Sequence, residues 1–250
     1  MQRPRRLTAQ AFERWRDERP RVAVGIPMTG LLQRTAVNQF LHLAKHLRDD
    51  DVLLPCKETA VASEARNTII HEFLKLPEDV EYLFLFDDDM TIDIGTIELM
   101  TWRREAFLSG LCVKKQPPFE PVISLSGGFV PTPEGAEHYG PEVEMQHVIA
   151  NWDPNTGVRE VDGVGAACLC LSRDLLKSIQ APWFKFEAGG EDLYFCRKVR
   201  AAGYRVLVDT HVLPGHIGEH VATYADWLQH REAVMEAGTI SADELRKVPA

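Results

Sequence analysis

Tyr82-Leu83-Phe84-Leu85-Phe86 runs without a break into Asp87-Asp88-Asp89, and the reading of the whole chain turns on this stretch. Consecutive apolar residues, three of them aromatic, mark a strand buried on both faces, as in the middle of a parallel sheet. Three carboxylates at its end repel one another and resist desolvation unless a positive group sits among them. Hard oxygen ligands suit a divalent cation. Asp87 and Asp89 are therefore expected to hold Mg2+ or Mn2+, whose open positions take phosphate oxygens. A solvated acidic turn is the plainer alternative, and the apolar run before it speaks against that.

The pattern extends outward in both directions. Arg21–Ile26 reads as a first strand closed by Pro27, and a helix follows near Gln33–Arg48 with Val37, Phe40, Leu41 and Ala44 on its inward face. Val52-Leu53-Leu54 is a short second strand. Ala65, Ile69, Ile70, Phe73 and Leu74 form the buried stripe of the next helix, which stops before Pro77. After the acidic cluster the spacing predicts a helix from about Ile94 to Leu108. Strand alternating with helix implies an α/β fold, a mainly parallel sheet with helices on both faces. Ligands of such sheets gather at the carboxyl ends of the strands, where Pro27-Met28-Thr29 and the acidic cluster both fall.

From Gln116 to about Arg159 prolines and glycines interrupt every periodic run, which predicts strands and loops that cover a site. Regularity returns over Val161–Leu171, then a short helix near Asp174–Ile179. Another helix follows Gly189-Gly190, with Phe195, Cys196 and Val199 along one face and Gly203 placed to cap its end. Arg205–Val208 reads as the last strand and the residues after His220 as a helical tail. The organisation expected is a basic leader over 1–20, one domain over 21–218 and a tail over 219–250.

The formal charge, 28 − 37 = −9, argues against broad contact with a nucleic-acid backbone. The first twenty-one residues nevertheless carry seven arginines against three acids. Weak contact with an anionic partner is one reading, a solvated amphipathic helix around Phe12 and Trp15 the other. No apolar run reaches bilayer length and the basic start lacks the apolar stretch of a signal peptide, so a cytoplasmic location is expected. The five cysteines form no C-x-x-C pair, and Cys168 and Cys170, two apart, share one face of a strand as reduced core residues.

Other segments carry chemistry-bearing residues. Glu191 and Asp192 fall where a helix begins, as caps or as a catalytic base. His216 lies between Gly215 and Ile217-Gly218, a turn residue or a metal ligand, with His211 and His220 as rivals. Arg66 offers a planar fork for a phosphate or a carboxylate, or lies exposed on its helix. Gly163-Val164-Gly165-Ala166 lets a ligand approach the backbone or simply packs tightly. Trp183 and Phe184 stack on a sugar face or fill the core.

In order and spacing, Gly25-Ile26-Pro27-Met28-Thr29, Ala65-Arg66-Asn67, Phe86-Asp87-Asp88-Asp89-Met90, Asp162-Gly163-Val164-Gly165-Ala166, Gly190-Glu191-Asp192 and Gly215-His216-Ile217-Gly218 resemble a GT-A fold glycosyltransferase of the family 2 type. The resemblance spans about Arg21 to Gly218. It implies a nucleotide-sugar donor lined by Pro27, Thr29, Arg66, Asp87, Asp88 and Gly163. It also implies a divalent metal, Mn2+ or Mg2+, held by Asp87, Asp89 and His216, and an acceptor base supplied by Asp192 with Glu191 beside it. The acceptor itself, a saccharide, lipid, protein side chain or modified base, is left open. Leu53-Leu54-Pro55-Cys56 lacks the acids that in this family often read the nucleotide base.

Two rivals stand beside that resemblance. Asp87-Asp88-Asp89-Met90-Thr91 satisfies the D-x-D-x-T pattern of a haloacid dehalogenase-type phosphatase, with Asp87 as nucleophile and Asp89 as acid, although that motif normally follows the first strand. The other is a nucleotide-sugar-binding module without turnover.

Overall fold

The computed structural model describes residues 9–28, 34–54, 59, 61–93, 95–117, 119–124, 157–187, 190–218 and 221–229. In chain order the elements are α1 (Ala9–Glu18), β1 (Arg21–Gly25), α2 (Arg34–His46), β2 (Val52–Leu53), α3 (Ala62–Leu74), β3 (Val80–Phe86), β4 (Met90–Thr91) and α4 (Thr96–Arg103). There follow β5 (Phe107–Gly110), β6 (Ile123–Ser124), β7 (Val158–Val161), β8 (Gly163–Val164), β9 (Cys168–Ser172), α5 (Arg173–Ser178), α6 (Glu191–Ala201), β10 (Val206–Asp209), β11 (Gly215–Ile217) and β12 (Val221–Ala222).

The main sheet has the order β2-β1-β3-β9-β5-β10-β7. β2, β1, β3, β5 and β10 point one way, and only β9 and β7 are reversed. β3 is central, and all its residues but Glu81 are buried, which is what its unbroken apolar run requires. Alternation then sorts the two faces. Leu83 and Leu85 meet Ile69, Ile70 and Phe73 of α3, Leu175 of α5 and Phe195 of α6 in one core, while Tyr82, Phe84 and Phe86 share the other with Leu43 of α2 and Met100 of α4. Cys168 and Cys170 both lie in that second core and are unbridged.

The fold is the mixed, mainly parallel α/β arrangement that the sequence implies, with four local differences. The helix expected to reach Leu108 stops at Arg103, where Arg104 turns left-handed at φ 53°. Phe107 and Leu108 instead enter β5, whose backbone groups are satisfied by β9 on one side and β10 on the other. A short apolar run fits helix or strand, and tertiary pairing decided it. α2 turns a different face inward: Leu43 is buried, Phe40 and Leu47 pack against the second core, and Val37 and Leu41 are exposed (39% and 66%). Phe40 meets Phe86 edge to face at 6.4 Å, one of the contacts that this face of the helix makes with the core. β10 is not the last strand, since β11 and β12 follow and join β4 in a small antiparallel sheet. Val221–Ala222 is thus strand, and helix begins only at 224–229; most of the tail, like most of 116–159, lies outside the described residues.

α1 belongs to the same packed body. Trp15 lies edge-on to Trp102 at 5.0 Å and donates through Nε1 to the Glu98 carbonyl. Arg19 is buried on Asp51, at 2.6 Å, and Glu98, at 3.2 Å. Two arginines near the start, Arg19 and Arg21, are thereby engaged within the fold, Arg21 on Asp79.

Candidate active site

Arg66 is the hub of the cleft. It lies on the inward stripe of α3, is 4% exposed, and passes under the carboxyl end of β3. Its Nη2 donates to both oxygens of Asp87, at 2.9 and 2.8 Å. Its Nη1 donates to Glu191 Oε1 at 3.1 Å and stands 3.7 Å from Asp192 Oδ1. The guanidinium also sits over the Phe184 ring, 5.5 Å from its centroid. One buried cation thus ties the end of β3 to the start of α6. Burial opposes its charge, yet Asp87, Asp192 and Glu191 hold its pKa above the ordinary guanidinium value. Burial raises the Asp87 pKa above its ordinary value, Arg66 pulling it back and Asp89 adding to the rise.

Glu191 and Asp192 are placed by the turn into α6. Gly190, at φ 89° and ψ 168°, adopts a backbone that side-chain-bearing residues rarely take, and so swings the two acids into the first helical turn above Arg66. Asn67, beside Arg66, fixes the approach to that turn. Its Oδ1 accepts from the Trp183 and Phe184 N–H groups at 3.0 and 2.9 Å, and its Nδ2 donates to the Phe184 carbonyl at 2.7 Å. Asp192 carries a pKa raised to about 6. Burial is the main cause and the charges of Glu191 and Asp87 add to it, against Arg66 and the Ala166 N–H. Its Oδ1 is buried and accepts no hydrogen bond among the described residues.

Asp89 forms the opposite wall. β11 pairs with β4 so that His216 lies opposite Met90, and the Ile217 N–H donates to the Asp89 carbonyl at 2.7 Å. That pairing brings His216 Nε2 to 3.5 Å from Asp89 Oδ1. His216 Nδ1 lies 2.8 Å from the Val113 carbonyl, which can only accept, so Nδ1 carries a proton, and Nε2, a donor in the imidazolium and a bare ligand nitrogen in the neutral ring, faces Asp89. The Lys115 ammonium contacts Asp89 Oδ2. Burial alone would raise the Asp89 pKa, but hydrogen bonds from His216 and Lys115 lower it to about 2.

The remaining sequence-derived candidates divide. Pro27 is buried just past the end of β1, and Asp88 is half-buried in the turn between β3 and β4. Thr29 and His220 lie outside the described residues. Gly163 packs under α6: a Cβ there would fall 2.3 Å from Leu193 Cδ2, so its small size serves close packing. Gly165 is the glycine beside the acids, its added Cβ 3.9 Å from Asp192 Oδ2. His211 joins Arg103 and Asp209 elsewhere, 2.9 Å from Arg103 Nη2. Trp183 and Phe184 are core residues (4% and 1% exposed), which leaves neither as a sugar platform. Lys115 and the Val113 carbonyl have no part in the sequence reading, and Asn67 enters it only within the Ala65-Arg66-Asn67 motif, without a role of its own. For Lys115 a signal existed, a Lys114-Lys115 pair just past a strand end in an acidic chain.

Among the described residues, no group of three or more His, Cys, Asp or Glu side chains is arranged to hold a metal ion. Asp87, expected as a ligand, has both oxygens committed to Arg66 because the arginine is buried and needs the charge. Asp89 and the Nε2 of His216 do fit a divalent ion that takes its other ligands from phosphate and water, as Mg2+ commonly does. The charge balance points the same way. Asp87, Asp89, Glu191 and Asp192 face the fixed cations Arg66 and Lys115, so a diphosphate would enter an already acidic cleft unless a cation came with it.

Compared with known proteins, the chain matches no family model and no curated protein. Among solved structures 39 chains match. One, A197 from STIV, superposes with a TM-score of 0.52 at 18% identity, over 79% of this chain and 86% of that one. At that identity the likeness is one of fold.

Proposed function

We propose that the chain is a metal-dependent glycosyltransferase that moves a sugar from a nucleotide-sugar donor to an acceptor hydroxyl with inversion. One observation carries this reading. Three segments distant in sequence meet at the carboxyl edge of the sheet: Asp87, Glu191 and Asp192 gather on the buried Arg66, and His216 closes on Asp89 two residues further along. A divalent ion held by Asp89 and His216 would neutralise charge developing on the leaving diphosphate.

Asp192 is the general base. With a pKa of about 6 it is ionised at neutral pH yet basic enough to accept a hydroxyl proton. As the acceptor oxygen bonds to the anomeric carbon, its proton passes to Asp192, and the bond to the diphosphate breaks with the electron pair leaving on phosphate. Arg66 holds Asp192 and Glu191 against the donor side of the cleft. It binds carboxylates rather than phosphate, and so positions the base without touching the donor.

The phosphatase alternative needs a free nucleophile at Asp87, and the bifurcated contact with Arg66 disfavours it. A binding module without turnover would share the geometry but release no product. Titrating a panel of nucleotide sugars with and without Mn2+, while following thermal stability, tests the proposal. Metal-dependent stabilisation by one nucleotide class, with sugar transfer to a hydroxyl acceptor, is the expected result. No stabilisation by any of them, or a phosphoenzyme at Asp87, refutes it.

A further inference from the structure

Lys115 reaches Asp89 from a hairpin built to hold it there. Val113 and Pro121 pair across its base, the Lys114 N–H donates to the Glu120 carbonyl at 2.9 Å, and the Phe119 N–H donates to the Gln116 carbonyl at 2.8 Å. The neighbouring Lys114 ammonium is engaged by Glu120 and does not compete. Val113 is also the residue whose carbonyl receives His216 Nδ1, so one piece of backbone carries Lys115 and anchors His216, and the two side chains address the two oxygens of the same carboxylate. The Lys115 side chain is 41% exposed, which lets its ammonium move to another anion at the cleft mouth without unpacking the core. A divalent ion on Asp89 would sit within a few ångströms of that ammonium, and like charges that close repel.

We propose that Lys115 is the resident counter-cation of Asp89, that a divalent ion takes its place, and that the displaced ammonium then pairs with the diphosphate of the donor. This rests on the glycosyltransferase reading for the identity of the diphosphate, but not for the exchange itself. Before donor arrives, ammonium and metal are alternatives at Asp89, so the empty cleft binds metal weakly. A diphosphate offers the ammonium new oxygens and the metal new ligands together. Metal and donor therefore load as a pair.

The test uses the intact chain and the variants Lys115→Ala and Lys115→Gln. Mn2+ binding to donor-free protein is read from the paramagnetic resonance of the free aquo ion, and binding of inorganic diphosphate at saturating Mn2+ by calorimetry. Both variants are expected to bind Mn2+ about tenfold tighter, the size of one like charge removed when water already screens most of the repulsion. They are expected to bind diphosphate about tenfold more weakly, through loss of a charge-assisted contact. A folding defect would weaken both. Unchanged or weaker Mn2+ binding in the two variants, or no Mn2+ binding by the parent or the variants, overturns the exchange. Unchanged diphosphate affinity overturns the re-pairing. Tighter Mn2+ binding in a protein whose parent transfers sugar from no nucleotide sugar leaves the exchange standing and refutes the glycosyltransferase reading instead.

Discussion

Replacing Arg66 by methionine removes the cation shared by Asp87, Glu191 and Asp192 while keeping much of the side-chain volume. Breaking a buried ion pair by deleting one partner costs about 3–5 kcal/mol, because the surviving charge stays desolvated. Here the three carboxylates keep 21%, 21% and 34% of their side-chain area exposed, so water relieves part of the penalty. About 3 kcal/mol, the low end of that range, is the expected loss at pH 8, a large share of a typical domain's stability. The loss should depend on pH in a defined direction. Asp192 is raised in the folded protein to about 6, above its ordinary 3.8, so the folded state binds more protons than the unfolded one between those values and stability falls as pH rises through that window. Without Arg66, which holds the Asp192 pKa down, the window widens upward. Denaturant unfolding of parent and variant at pH 8 and pH 5 measures it, with a clearly smaller difference expected at pH 5. Equal losses at the two pH values, or none, would refute the claim that Arg66 acts as counter-ion to these acids.

Asp192→Asn should leave donor binding intact and abolish transfer, and the parent's rate should fall on the acid side of about pH 6 as the base protonates; a flat profile through that region, or near-normal turnover in the variant, counts against the base assignment. Asp89→Asn should abolish Mn2+ binding to the donor-free protein. In the parent, the stability that Asp89 draws from Lys115 and His216 is present above its ordinary pKa of 3.8 and lost as pH falls toward about 2, so acid unfolding of the variant should be flatter there. Asn67→Ala forfeits three hydrogen bonds to Trp183 and Phe184 and should cost about 2 kcal/mol in denaturant unfolding. It should also lower kcat more than it raises donor KM, since it loosens the approach to Glu191–Asp192; a change confined to KM would contradict that role.

The central strand was legible because Val80–Phe86 is apolar nearly throughout, and only a strand covered on both faces needs that. α3 was legible from Ala65, Ile69, Ile70 and Phe73, and the end of α6 from Gly203, whose N–H donates to the Arg200 carbonyl while that of Tyr204 reaches Val199. β5 was not, because Phe107-Leu108-Ser109-Gly110 is too short to distinguish strand from helix without knowing that β9 and β10 flank it. The phase of α2 was also hidden, since Val37, Leu41 and Ala44 form as good an apolar stripe as Phe40, Leu43 and Leu47. At the site, the acids and His216 could be named from residue type and position. Their partners could not: Arg66 and Glu191 are 125 residues apart, and no local pattern records such a pairing. The β4–β11 register that brings His216 to Asp89 rests on short strands with no periodic signal of their own.

The reversed strand β9 separates β3 from β5, although these two are successive strands of the main sheet along the chain. A nascent polypeptide leaving the ribosome therefore carries β1, β2 and β3 long before Cys168–Ser172 exists to fill the gap. Until then the inner edge of β3, Tyr82 to Phe86, is an open row of unpaired amides flanked by aromatic side chains, a ready template for another chain. Expression of any piece ending before residue 168 should give aggregates rather than a half-sheet, and a holding chaperone should be needed for the time it takes to translate that interval.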